Sequence, residues 1–158
     1  MALSTFGAIM GFAAEMVRET ETFYKTMLRK VEDPVLREVF RVLAEEEAKN
    51  CALMERTRRE NVTEMILEPV AGLHQGDYEI AAAEMDQAGD ADLLNRALIL
   101  EERAHRFFST VSDKIPLPEV GRIFRKAAQR KEKSLIKLKT LGSAYSDAAG
   151  LDGFVKSP

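Results

Sequence analysis

The stretch "VLAEEEAKNCALM", Val42 to Met54, decides how the chain is read. Through it and its flanks, Leu36, Val39, Phe40, Leu43, Glu47, Asn50, Met54 and Thr57 recur at steps of three and four. Those steps put all eight on one face of an α-helix, the face expected to be buried. The face turns polar at its middle, at Glu47 and Asn50. Unpaired buried charge is expensive, so a carboxylate there needs a cation opposite it.

Working outward, four segments carry the same periodicity. The first is expected from about Thr5 to Val31, with Phe6, Ile9, Ala13, Val17, Tyr24, Met27 and Val31 inward and Thr20 the one polar step. Ser4 or Thr5 can cap it. "EDP", 32 to 34, stops it, because the residue before a proline avoids helix and proline suits a first helical position. The second helix then runs from about Pro34 to Asn61. Residues 62 to 92 mix turn signals at Gly72, Gly76 and Gly89 with room for a short helix around Tyr78 to Met85. The segment is long for a loop and reads as a crossover, with His74 a loop residue. A third helix starts at Asp90 or Asp92, either of which can cap it, and runs to about Lys114. "PLP", 116 to 118, breaks it. The fourth runs from about Pro118 to Leu141, with Gly142 as its stop. The rest, "SAYSDAAGLDGFVKSP", is small and polar and reads as a loosely held tail, 143 to 158.

The two halves repeat. With a shift of 84 residues, Phe23 meets Phe107, Tyr24 meets Phe108, Pro34 meets Pro118, Phe40 meets Phe124, Arg41 meets Arg125 and Ala44 meets Ala128. Both helix breaks and all three aromatic landmarks coincide. The expected fold is therefore all-α: a ferritin-like antiparallel four-helix bundle over 1 to 142, two related helical hairpins joined by a long crossover.

The totals agree. A chain of 158 residues with 46% apolar and 31% charged residues suits one domain with a substantial core. A net charge of −3 argues against nucleic-acid binding through a broad basic surface. The single cysteine, Cys51, excludes a disulfide within the chain and a four-cysteine metal knuckle. "MALSTFGAIMGFAAEM" has no basic leader and reads as the start of a helix. No apolar run approaches the roughly 20 residues that span a bilayer. A cytoplasmic protein that binds neither membrane nor nucleic acid is expected.

"ETFYKTMLRKVEDPVLREVFRVLAEEEAKN", 21 to 50, resembles the first hairpin of the ferritin-like domain of the rubrerythrin family, and "ALILEERAHRFF", 97 to 108, resembles its third helix. The resemblance covers roughly residues 8 to 141. It implies a bundle built around two irons. Their ligands would be a Glu six residues before the Phe of helix 1, its counterpart on helix 3, and Glu-x-x-His on helices 2 and 4. Carried over by position, the helix 1 slot holds Val17. Helix 2 keeps Glu47 but has Asn50 for the histidine. Helix 3 keeps Glu101. Helix 4 has Lys131 and Ser134, or Glu132 and Leu135 if its register slips by one.

Two functional readings follow. On the first, the di-iron site has degenerated, Lys131 supplies the charge the metal would have brought, no cofactor is bound, and the protein is a non-catalytic binding or regulatory bundle, a homodimer. On the second, iron or another divalent metal is held by the retained Glu47 and Glu101, with His105 and Glu21 as displaced ligands. Glu102-x-x-His105 is the one true Glu-x-x-His in the chain. That reading makes the protein an oxidoreductase or peroxidase. It would need an external electron donor, because one cysteine cannot ligate the iron of the family's rubredoxin module. A third reading, apart from the resemblance, is a helical adaptor with an apolar groove. No catalytic residue is assigned on any of them.

Four further expectations concern single features. Tyr24 points inward to a polar partner. Cys51 is a small buried hydrophobe. Gly7 and Gly11 permit close helix approach at a dimer contact. The basic run "RKAAQRKEKSLIKLK", 125 to 139, is a solvated face with the acidic "AEEEAK" beside it.

Overall fold

Thr5 starts the first helix as its side chain accepts the N–H of Ala8 at 3.1 Å, filling one of the donors a helix start leaves open. The computed structural model describes residues 2–61, 70–80 and 89–151, and of 146–151 the backbone alone. Helix α1 spans Phe6–Met27 and ends four residues before the expected Val31, in a turn closed by the Lys30 and Val31 N–H groups on the Met27 carbonyl. Pro34 opens α2, Pro34–Asn61, as the sequence implies. Helix α3 is Asp90–Lys114 and α4 is Pro118–Leu151.

Two local expectations change. Neither Asp90 nor Asp92 caps α3; Gly89 holds the cap position with no side-chain bond. Asp90 is used elsewhere: its carboxylate accepts the N–H groups of Glu32 at 3.0 Å and Asp33 at 2.7 Å, tying the α1–α2 turn to the start of α3. Gly142 does not stop α4. The helix runs on to Leu151, and Tyr145, past the glycine, packs on the core and donates its hydroxyl to Asp33 Oδ2 at 2.8 Å. A 3-10 turn covers Gln75–Tyr78, and of the short helix expected around Tyr78 to Met85, residues 81 to 85 lie outside the described residues.

The crossover is tied to the chain's beginning. Leu3 donates to the Leu73 carbonyl and Val70 to the Ser4 carbonyl, both at 2.8 Å, and Ala2 bridges His74. Gly72 turns this strap at a φ of +83°, where a side chain would be strained.

The molecule is an all-α four-helix bundle. α1 packs along α2 and α3 along α4, with lighter α1–α3 and α2–α4 contacts between the hairpins. Its core has two apolar blocks. One holds Phe6 to Val17, Met54, Ala104 to Val111 and Val120 to Ala128; the other holds Tyr24, Met27, Leu36 to Ala44, Leu93 to Ala97 and Leu138. Along each helix the two blocks are separated by buried polar residues: Thr20 on α1, Glu47 and Asn50 on α2, Glu101 on α3, Lys131 and Ser134 on α4. Among the described residues no helix is long and apolar enough to cross a membrane.

Candidate functional site

The polar layer follows from helical spacing. Glu47 continues the face that carries Phe40 and Leu43, Glu101 that of Ala97 and Ala104, and Lys131 that of Phe124 and Ala128. All six slots implied by the resemblance, Val17, Glu47, Asn50, Glu101, Lys131 and Ser134, are buried, none more than 7% exposed. Glu132 is exposed, so the unslipped register on α4 is the one that faces inward.

Lys131 lies between the two carboxylates. Its Nζ donates to Glu47 Oε1 and, at 3.2 Å, to Glu101 Oε2. Tyr24, fully buried, donates its hydroxyl to the same Glu101 Oε2 at 2.7 Å. Asn50 Nδ2 donates to Glu47 Oε1 at 3.2 Å, and Arg130 Nη2 reaches Asn50 Oδ1 at 3.4 Å. Glu47 Oε2 and Glu101 Oε1 are buried with no hydrogen-bond partner.

The electrostatics follow from that arrangement. Burial raises the Glu47 carboxyl above its ordinary value; the Lys131 ammonium pulls it back and Glu101 pushes it further up. For Lys131 burial acts downward, but the charges of Glu101 and Glu47 and their hydrogen bonds outweigh it and hold the ammonium above its ordinary value. Tyr24 is raised well above the usual phenol, by burial first and by Glu101 next.

These residues do not fit a di-iron centre. Two carboxylates come from α2 and α3, but α1 supplies an apolar Val17 and α4 an ammonium that is bonded to both carboxylates.

The displaced ligand set is not brought together. Glu21 pairs with Lys25 on its own helix at 2.7 Å, His105 is half-buried and Glu102 is exposed. Among the described residues no three His, Cys, Asp or Glu side chains gather as a metal site. Cys51 is half-buried rather than buried, with Arg18 Nη2 at 3.8 Å from its Sγ. Gly7 and Gly11 have open space where a side chain would stand, so they make no close approach within the chain.

One expectation changes and one feature escaped the sequence reading. The basic run on α4 is not wholly a solvated face, since Lys131 is buried in it. Arg103 is also buried, paired with Glu19 at 2.8 Å. The repeat held the signal: Glu19 and Arg103, like Glu47 and Lys131, are equivalent under the 84-residue shift and opposite in charge.

No family model matches the chain, and no curated protein matches it. Solved structures similar to it include the following two. "Hypothetical Protein Pfu-1136390-001" from Pyrococcus furiosus is 22% identical, with a TM-score of 0.66 over 94% of this chain and 91% of that one. "CopM in the Cu(I)-bound form" is 11% identical, with a TM-score of 0.66 over 88% of this chain and 96% of that one. At these identities the likeness is one of fold.

Proposed function

We propose that this is a rubrerythrin-like bundle whose di-iron site has degenerated, and that it acts as a binding or regulatory protein, a cytoplasmic homodimer, without redox chemistry of its own. The observation that carries the reading is the Lys131 ammonium bonded to both retained carboxylates, Glu47 and Glu101. An ammonium there brings the positive charge that buried carboxylates require. The burial of all six family slots supports the resemblance itself, since exposed slots would have no centre to face. The metal-dependent reading has less behind it: its extra ligands, Glu21 and His105, do not join Glu47 and Glu101 among the described residues.

The test is metal content per chain, by plasma mass spectrometry, on protein expressed with added iron. The expected result is near-zero iron with no absorption from oxo-bridged iron. About one or two irons per chain, lost in Glu101→Ala, would overturn the reading and return the protein to the oxidoreductases.

A further inference from the structure

Between α2 and α4, on the outer side of Asn50, lies a surface groove of about 490 Å³. That volume is within the range of roughly 300–1,000 Å³ common for small-molecule sites. Lys49, Arg56 and Arg130 line it, against the single carboxylate of Glu46, with Leu53 as an apolar wall. Three cations stand here in a chain whose net charge is −3.

None of the three has an ion pair among the described residues, whereas Arg18, Lys25, Arg41, Arg103 and Lys131 all do. The half-buried Arg130 makes one long contact, 3.4 Å to Asn50 Oδ1. A guanidinium carries five donors in a planar fork that matches phosphate oxygens, so most of this fork is unused.

We infer that this groove binds a small organic phosphate, its phosphoryl group held by Arg130, Arg56 and Lys49 and its apolar body lying on Leu53. Two guanidinium forks and an ammonium suit a dianionic phosphoryl group better than a single carboxylate. The groove is also larger than a bare oxyanion needs. Asn50 links the site inward, since it touches both Arg130 and Glu47.

The experiment uses the full chain at constant ionic strength, titrated with phenyl phosphate and with inorganic phosphate, read by calorimetry and by the side-chain amide resonances of ¹⁵N-labelled protein. Saturable one-to-one binding is expected, with the Asn50 amide shifting and phenyl phosphate several-fold tighter than inorganic phosphate. Arg130→Gln should weaken it roughly tenfold. Lys126→Gln, an exposed cation on α4 outside the groove, should leave it unchanged. Absence of saturable binding, or equal weakening by Lys126→Gln, would overturn the site. Equal affinity for the two phosphates would overturn its assignment to an organic phosphate.

Discussion

At the scale of single residues, the centre of the bundle is an electrostatic problem solved by two groups. Lys131 bonds both carboxylates, and Tyr24 bonds Glu101. Removing the Tyr24 hydroxyl leaves Glu101 Oε2 with one partner fewer in a buried place. Tyr24→Phe should therefore lower the unfolding free energy by about 1–3 kcal/mol in urea denaturation. The pH dependence has a definite sign. Lys131 is raised above its ordinary 10.5 in the folded chain, so its contribution is complete below that value and is lost as pH climbs through the folded one. Tyr24 is raised above 10.0 and acts in the same direction. Stability should fall steeply above about pH 10, and circular dichroism melts across pH 8 to 12 check this. Glu47 acts lower: its carboxyl is raised, so its share of stability declines as pH rises from 4.5 through the folded value.

At the scale of elements, helix starts were more legible than helix ends. Pro34 and Pro118 both open helices, because proline is suited to a first turn whatever the surroundings. Gly142 misled, because a glycine ends a helix only if nothing beyond it repays continuation. Here Tyr145 does, by packing on the core and bonding Asp33. An alanine at 142 would meet only Leu94 Cδ2, at an ordinary 3.7 Å. Gly142→Ala should then stabilise the protein by about 0.5–1 kcal/mol, since glycine inside a helix costs about that much. A loss of stability would mean that the glycine is a terminator after all. Tyr145→Phe should cost about 1 kcal/mol and lift the Asp33 carboxyl, which that hydroxyl holds below its ordinary value, visible in a carboxylate NMR titration.

At the scale of the whole molecule, the fold was readable because the chain states it twice. Two hairpins with matching breaks and aromatic landmarks need each other's faces, and Tyr24, Phe40, Phe107, Phe108 and Phe124 are all fully buried. The site was half readable. Glu47 and Tyr24 show in the periodicity, Glu101 came from the resemblance, and Lys131 was reachable through the repeat. Arg103 and Arg130 were not singled out, because a basic residue on an amphipathic helix looks like solvated surface until the opposite helix is placed. The half-exposed pair Glu19–Arg103 and the buried pair Glu47–Lys131 join equivalent positions of the two hairpins, so the halves meet through opposite charges where the repeat alone would give like ones.

The central claim is that the Lys131 ammonium supplies the charge this core requires. The most direct measurement is unfolding free energy against pH, from 5 to 8, for the wild type, Lys131→Met, and Lys131→Met combined with Glu47→Gln and Glu101→Gln. Without the ammonium, two buried carboxylates lack a cation, and removing one partner of such a cluster typically costs about 3–5 kcal/mol. Both carboxyls would then bind protons more readily folded than unfolded, so the single variant should regain stability as pH falls. The triple variant should recover most of the loss at neutral pH. A Lys131→Met protein as stable as wild type, with the same pH profile, would contradict the account.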